Sequence, residues 1–211
     1  MRSLRKGYNL IGMANLLYQG HSSLRITTRE GKVIYVDPFA GDGYTKMADL
    51  ILITHEHYDH NRVDLVPQTA RTIIIRAADA LSGGIYRNFD YFGCHIEAVP
   101  AYNEHHDKRE CVGYLVDVDG VRLYLAGDTS YTDYMPTLST MNIDYAFLPI
   151  DGIYNMGPEE ATRCANIIKP KHLIPVHMKP GMLWDYHQCM KVTYGGSLLV
   201  KPGDEIFLER D

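Results

Sequence analysis

The sequence predicts a layered α/β sandwich, in which strands joined by turns are covered by helices. Two hairpin signals and one amphipathic helix lead to this prediction. The dipeptide Glu30-Gly31 separates apolar segments at residues 23–28 and 32–38, and Asp119-Gly120 separates two alternating segments within residues 111–128. The helix is predicted over residues 157–170, where small and apolar residues recur at the spacing of one helix face.

Further strands are predicted where short aliphatic runs occur. Residues 48–54, 71–77 and 144–150 have the composition of buried strands, and residues 172–177 follow the helix as another strand. Both halves of the chain begin with strands and continue to a helix, and no low-complexity linker separates them. We therefore expect residues 1–211 to form a single domain.

The ends of the predicted helix agree with its apolar face. Pro158 suits the first helical position, Glu159 and Glu160 complement the helix dipole there, and Pro170 ends the helix. The face itself consists of residues spaced i, i+3, i+4 and i+7, namely Ala161, Cys164, Ala165 and Ile168.

The composition of the chain limits the classes of partner and the cellular compartment that we expect for it. The net charge is −5 and the basic residues are scattered, so a nucleic-acid partner is not favoured. No apolar run approaches the roughly 20 residues that cross a bilayer, and no secretory signal is evident, so we expect a cytoplasmic protein without a membrane partner. The four cysteines form no Cys-x-x-Cys pair, which fits a reducing compartment. With 16 tyrosines, a homo-oligomer is left open.

A histidine-rich segment directly follows one of the predicted buried strands. His55 and His57 lie two positions apart, and Asp59 and His60 follow after one spacer residue. A strand held within a sheet gives the loop at its end the rigid support that a metal site needs. If the loop turns after His57, the first pair can bind one ion and the second pair another. The pattern His-x-His-x-Asp-His therefore predicts a two-metal site.

Several separated motifs, in order, resemble those of the metallo-β-lactamase-fold hydrolases. They are "GHSS", "YVDPF", "THEHYDHN", "VPAYNEHH", "LAGDTS" and "IPVHM", and the resemblance extends over nearly the whole chain. Within this family the sequence is most similar to the small prokaryotic group that includes the ascorbate-6-phosphate lactonase. The resemblance implies the α/β fold of the family, a four-layer αββα sandwich with a two-metal site at one edge.

The resemblance also implies a set of metal ligands. His55, His57 and a third histidine would bind the first ion. Asp59, His60 and His177 would bind the second ion, and Asp128 would bridge the two. We therefore expect two divalent ions per chain. Zinc is the first expectation, with manganese or iron as alternatives, because nitrogen and oxygen ligands accept all three.

Two adjacent histidines compete for the third position on the first ion. His105 and His106 would point in opposite directions if this segment is extended. Relatives with the pattern Asn-x-x-His-x-x-x-x-Cys-Val-Gly-Tyr have their histidine at the position of His106, so the resemblance favours His106. His105 is then expected to support the ligands or to be exposed.

Further residues near the motifs are candidates for substrate contact or for support of the ligands. Their alternatives are ordinary structural roles, such as a turn-capping aspartate before proline or a hydrogen-bonded core histidine. These candidates are His21, Asp37, Tyr102, Asn103, Tyr154 and Asn155.

The charge of the implied centre predicts hydrolysis. Two divalent ions carry four positive charges, whereas the implied ligands supply only the carboxylates of Asp59 and Asp128. Metal ions lower the pKa of bound water from 15.7 to about 7, so a bridging hydroxide is expected to be the nucleophile, with Asp59 as the catalytic residue that orients it. The remaining positive charge favours a small anionic substrate.

Three functions are compatible with this chemistry. A lactonase-like hydrolase of esters or lactones is favoured, because the nearest resemblance is to the phosphorylated-lactone group. A phosphodiesterase or nuclease of the same fold is the first alternative. A metal-binding protein without turnover is the alternative of a different class, although it would have no need for Asp59 beside an open two-metal centre.

Overall fold

Two six-stranded sheets face each other in the computed structural model, which describes residues 13–210. The first sheet consists of β1 (Asn15–Gly20), β2 (Ser23–Thr27), β3 (Val33–Val36), β4 (Leu50–Leu52), β5 (Ile73–Ile75) and β14 (Glu205–Phe207). A small hairpin follows, with β6 (Leu81–Ser82) and β7 (Ile85–Tyr86). The second sheet consists of β8 (Asn88–Tyr91), β9 (Cys94–Pro100), β10 (Val112–Val118), β11 (Val121–Leu125), β12 (Tyr145–Pro149) and β13 (His172–Val176).

Both predicted hairpins are confirmed. β2 pairs with β3 and β10 pairs with β11, in each case antiparallel. At the second turn Asp119 and Gly120 have φ angles of 51° and 85°, the left-handed backbone that a two-residue hairpin turn requires.

Each sheet changes from antiparallel to parallel pairing across its width. β3, β4 and β5 are parallel in the first sheet, and β11, β12 and β13 are parallel in the second. Parallel strands place their carboxyl ends at one edge of the sheet. The segments that leave these strands can therefore meet, and they include the predicted metal ligands.

The main core lies between the two sheets. Leu16, Ile26 and Leu52 of the first sheet belong to the same buried cluster as Val116 and Phe147 of the second. The alternate side chains of the second sheet, such as those of residues 115 and 146, belong to a second cluster on its outer face. This period of two is the pattern of strands that are covered on both faces.

The predicted helix is also confirmed. Helix α3 (Pro158–Ile168) begins at Pro158, and its predicted apolar face is the buried one. Lys169 adopts a left-handed backbone with φ of 58° and ends the helix before Pro170. The other helices are single turns: α1 (Ala77–Ala80), α2 (Met135–Leu138) and α4 (Tyr186–Cys189).

The prediction of an α/β sandwich is confirmed, with outer layers of unequal thickness. Helices α2 and α3 cover the outer face of the second sheet. Over the first sheet, the cover within residues 13–210 is the 3₁₀ turn Val63–Leu65 with Val66, Ala48 and Tyr44. None of the helices in this range is long and apolar enough to cross a membrane.

Candidate metal centre

The histidines and aspartates of the motifs meet where the parallel strands end. Asp37 follows β3, Asp128 lies three positions after β11, and His177 directly follows β13. The segment after β4 contributes the remaining ligands predicted from the His-x-His-x-Asp-His pattern. It turns as expected, because the backbone N–H of His60 donates to the carbonyl of His57 over 3.0 Å.

Three groups of side chains bring their nitrogen and oxygen atoms within 4.8 Å of one another. The groups share members and form one continuous cluster. They are His55, His57 and His106; His55, His60 and Asp128; and His21, Asp59, His60 and His177. The first group and the last group correspond to the two predicted ions, with His21 added to the second.

The carboxylate of Asp128 lies at the centre of the cluster. Its Oδ1 is 3.2 Å from Nε2 of His60, and its Oδ2 is 3.2 Å from Nε2 of His106 and 3.0 Å from Nε2 of His177. Oδ2 also accepts a hydrogen bond of 2.9 Å from the side-chain amide of Asn155. Asp128 is thus placed between histidines of both groups, as a bridging ligand would be.

The residues present fit divalent metal ions. Nε2 of His55, His60 and His177 and Oδ1 of Asp128 are buried and make no well-aligned hydrogen bond, although two of these nitrogens lie 3.0–3.2 Å from Asp128. An unpaired buried polar atom costs about 1–3 kcal/mol, so several such atoms aimed at a common centre need a further partner. Imidazole nitrogens with carboxylate oxygens are the donor set that zinc, manganese or iron accepts.

Oxygen atoms near Nδ1 of the histidines orient the rings, and so orient the lone pair on each Nε2. Nδ1 of His60 donates to Asp37 over 2.9 Å, and Nδ1 of His106 donates to the side-chain oxygen of Asn103 over 2.9 Å. Nδ1 of His177 lies 3.3 Å from the carboxylate of Asp151, which is an ion-pair distance without an aligned hydrogen bond. With the proton on Nδ1, Nε2 is left as the ligand atom facing Asp128, which is how such outer partners prepare a metal site.

Asp37 also positions the segment that contains the ligands. It is buried and accepts from the backbone N–H of Thr54 over 2.8 Å and from the Thr54 hydroxyl over 2.7 Å. Because that hydroxyl donates to Asp37, it accepts from Nδ1 of His55 over 3.1 Å. Asp37 therefore orients His60 directly and His55 through Thr54.

The charges of the histidines and aspartates in the cluster influence one another's pKa values. Burial opposes protonation of His177, but the Asp128 carboxylate raises the pKa of His177 to about 9. Burial likewise opposes protonation of His60, yet Asp128 and Asp37 hold its pKa well above the usual range. Burial would raise the pKa of Asp128, but the charges of His60 and His177 hold this pKa well below its usual range. Burial lowers the pKa of His55 to about 2, so this ring is neutral.

Of the two adjacent histidines, the structure brings His106 into the cluster. His106 is buried against Asp128, whereas His105 is exposed and its ring lies 5.5 Å from that of Tyr154. The isolated bridge between Asn103 and His106 bends this segment, so adjacent side chains diverge.

The remaining candidates fall into two groups. His21, His105 and Tyr154 line the cavity described below, whereas Asn103 and Asn155 lie behind the ligands. These two amides are joined by a hydrogen bond of 2.9 Å from Asn103 to Asn155. Tyr102 faces a shallow neighbouring depression instead.

Two residues of the site were missed by sequence reasoning, Thr54 and Asp151. Asp151 lies two positions after β12, and its Oδ1 accepts from the backbone N–H groups of Ile153 and Tyr154, each over 2.7 Å. The available signal was its place after a buried strand, which matches that of Asp128. Thr54 directly precedes His55, and its position gave no such signal.

A cavity of about 660 Å³ opens onto the cluster. This volume is within the range of pockets that bind small molecules. Its lining includes His57, Asp59, His106, Asp128 and His177. The centre is therefore accessible to a small ligand from this side.

We expect chelation to lower the melting temperature more near pH 8.5 than near pH 6.5. The proton on His177 stabilises the chelated fold; this contribution is complete below the unfolded pKa of 6.5 and is lost as pH rises through about 9. The proton on His60 contributes in the same direction, because its pKa is also raised. Metal binding requires neutral imidazoles, so metal affinity rises over the same window.

The measurement is calorimetry with excess chelator and with excess zinc at both pH values. His177→Gln removes the titrating group and is expected to reduce the difference. An equal loss at both pH values, or a larger loss at the lower one, would contradict this prediction.

The chain is similar to known proteins over most of its length. Residues 15–177 match the family model of the beta-lactamase superfamily domain. A UPF0173 metal-dependent hydrolase of Thermococcus onnurineus (strain NA1) is 30% identical, over 91% of this chain and 98% of that protein.

Solved structures of hydrolases are also similar to this chain. A protein from Parabacteroides distasonis, assigned as a metal-dependent hydrolase, is 31% identical with a TM-score of 0.73, over 88% of this chain and 91% of that one. Igni18, a metallo hydrolase from the archaeon Ignicoccus hospitalis, has a TM-score of 0.73 at 23% identity, over 94% of this chain and 100% of that one. At that identity the similarity concerns the fold alone.

Proposed function

Because this chain belongs to the beta-lactamase superfamily and is a metal-dependent hydrolase of that fold, we propose that it hydrolyses an ester or lactone at a centre of two divalent ions. The observation that carries this proposal is the set of buried, unpaired nitrogen and oxygen atoms around Asp128, beside an open cavity. We propose zinc first, with manganese or iron as alternatives.

The proposed ligands follow the two outer groups of the cluster. His55, His57 and His106 hold the first ion, Asp59, His60 and His177 hold the second, and Asp128 lies between them. Ions bound there would supply a Lewis acid that polarises the scissile bond and acidifies water. Asp37, Asp151 and Asn103 keep the rings in place, so the ligand atoms need little rearrangement.

Asp59 is proposed as the catalytic carboxylate. It lines the cavity, and its Oδ2 is 3.2 Å from Nε2 of His21. Burial would raise the pKa of Asp59, but the hydrogen bond from His21 and the charge of His60 lower it. An ionised carboxylate can only accept hydrogen bonds, so His21 is the donor and the other oxygen of Asp59 can accept from a water molecule.

The cavity supports an ester or lactone over a phosphodiester. Its lining, within the part of the chain that the structure describes, includes no lysine or arginine. A nucleic-acid backbone is normally held by several such cations. The same argument supports a small-molecule substrate over a polynucleotide. The core shared by both sheets further supports our proposal that the chain works as one domain.

The proposed function predicts that Asp59→Asn lowers the hydrolysis of p-nitrophenyl acetate by about 10²–10⁴-fold, the usual effect of losing a general acid–base group. Asp59 is partly exposed, so the variant is expected to fold. Chelation should abolish turnover by the parent, and added zinc or manganese should restore it.

The control is Asp64→Asn, because Asp64 lies five positions further on, is exposed and pairs with Arg62 at 2.7 Å. This variant is expected to match the parent. Undiminished turnover by Asp59→Asn would refute the role of Asp59. Metal binding without turnover of any ester or lactone by the parent would favour a non-catalytic protein, and faster cleavage of bis(p-nitrophenyl) phosphate would favour the phosphodiesterase.

A further inference from the structure

The cavity has two unlike walls. One is the metal centre, with its histidines and carboxylates. The other consists of apolar and aromatic side chains: Phe39, Tyr58, Tyr154, Pro180, Met182 and Leu183. Four of these are large side chains with high exposure, 74% for Tyr58, 48% for Tyr154, 43% for Met182 and 45% for Leu183. Exposed apolar groups gathered around one concave site mark a surface that binds an apolar group. We call these six residues the apolar wall.

The apolar wall is attached to the same strand ends as the metal centre. The carbonyl of Leu183 accepts from the backbone N–H of His21 over 3.3 Å, which ties the segment after β13 to the end of β1. The ring of Phe39 lies 5.7 Å from that of Tyr58, nearly perpendicular to it, and 5.4 Å from that of His21. The wall is therefore held next to the proposed reacting groups.

The acidic side chains that line the cavity either belong to the candidate metal centre or form an ion pair. Its acidic residues are Glu56, Asp59 and Asp128, and Glu56 pairs with Arg76 at 2.8 Å. Among the described lining residues no lysine or arginine lies beside the apolar wall. A phosphate or carboxylate remote from the scissile bond would lose its hydration there without gaining a cationic partner.

We propose that the substrate is an ester or lactone with an uncharged apolar substituent, an alkyl chain or an aromatic ring, that packs against the apolar wall. This inference rests on the proposed hydrolase function and refines its substrate class. The sequence led us to expect an anionic substrate. The inference replaces it with a substrate that carries no charge away from the metal centre. Met182 and Leu183 are specificity-determining residues in this proposal.

The first test compares substrates that differ only in apolar size. The series are p-nitrophenyl acetate, butyrate and octanoate, and γ-butyrolactone against γ-dodecalactone, each with the zinc-loaded full chain. Burial of a methylene contributes about 0.8 kcal/mol, which is about fourfold, so we expect kcat/KM to rise about two- to fourfold per methylene in at least one series. A flat response in both series, with the small substrates hydrolysed, would overturn the substrate class and leave the proposed function intact.

The second test removes the apolar character of the wall without changing its size. The double variant Met182→Gln, Leu183→Asn is expected to lower the ratio of octanoate to acetate kcat/KM about tenfold or more. The matched control is Met190→Gln, Leu199→Asn, because these residues have similar exposure, at 53% and 40%, and lie outside the cavity lining. The control should retain the parental ratio. An equal fall in both variants would contradict a specific role for the wall.

A binding measurement decides the inference even if no ester is hydrolysed. Calorimetric titration of octanoate and of acetate into the zinc-loaded full chain measures binding without any need for turnover. We expect octanoate to bind zinc-loaded protein at least about tenfold more tightly than acetate, and the wall variant to lose this difference. Equal binding of both carboxylates would overturn the inference. Preferential octanoate binding without turnover of the tested esters and lactones would support the apolar wall as a ligand site and refute the ester or lactone as the bond that is cut.

Discussion

Asp128→Asn is expected to abolish stable metal binding and to lower hydrolysis by more than about 100-fold. Loss of a group that merely supports a ligand costs about 10- to 100-fold, and Asp128 is placed in the middle of the ligand set. Its oxygens lie 3.0–3.2 Å from Nε2 of three histidines that belong to both outer groups of the cluster. Asparagine keeps the shape but removes the charge and one acceptor oxygen, so both proposed ions lose a ligand.

The measurement is elemental analysis of protein purified without chelator, together with calorimetric titration of zinc into stripped protein. About two ions per chain are expected in the parent, as in other two-metal sites, and fewer than one in the variant. Asn155→Ala provides a graded comparison, because it removes the hydrogen bond of 2.9 Å to Asp128 and the acceptor for Asn103 but no proposed ligand atom. A variant Asp128→Asn that retained the parental stoichiometry and affinity would refute the bridging position.

Asp37→Ala is expected to destabilise the fold by about 3 kcal/mol or more, the usual effect of removing one partner of a buried charge pair. The change leaves the backbone N–H and hydroxyl of Thr54 and Nδ1 of His60 without their acceptor. Asp37 also has φ of 43°, which is strained for alanine. We expect the loss in urea unfolding measured with excess chelator, so that metal binding does not contribute.

Asp37→Asn is the matched variant, because asparagine tolerates the left-handed backbone and can still accept from Thr54. Its loss of stability should be clearly smaller than that of Asp37→Ala. If both variants unfolded at the parental urea concentration, the buried network around Asp37 would contribute nothing to stability. A large loss for alanine alone would assign the effect to the acceptor and the backbone rather than to the charge.

Local patterns predicted much of this protein because their physical causes are local. The hairpin at Asp119-Gly120 follows from the left-handed backbone that such a turn requires, and the helix from Pro158 to Ile168 follows from its spacing and its ends. The metal-binding segment is similarly local, since four of its proposed ligands lie within residues 55–60. Its turn at His57 is short enough to be read from the pattern.

The supports behind the ligands could not be read in this way. Asp37 was a candidate with a turn-capping alternative, and Asp151 was missed, because either could have ended its strand as an ordinary aspartate. Their functions depend on partners distant in the chain: His60 lies 23 positions from Asp37, and His177 pairs with Asp151 from a different strand. The sequence pattern of one segment does not show where a distant segment lies in the fold.

By itself the sequence determined strands β2 to β5 and β10 to β13, the long helix, the family, and the residue types of the candidate metal centre, because these depend on local spacing and on motifs in order. The resemblance favoured His106 over His105, and the tertiary structure brings His106 into the cluster. Only the tertiary structure decided that Asn103 and Asn155 support ligands rather than line the cavity. It also decided that Met182 and Leu183 line the same cavity as the candidate metal centre, and that the described lining of this cavity includes no lysine or arginine. The reason is that these relations are distances between segments brought together only by the packing of two sheets.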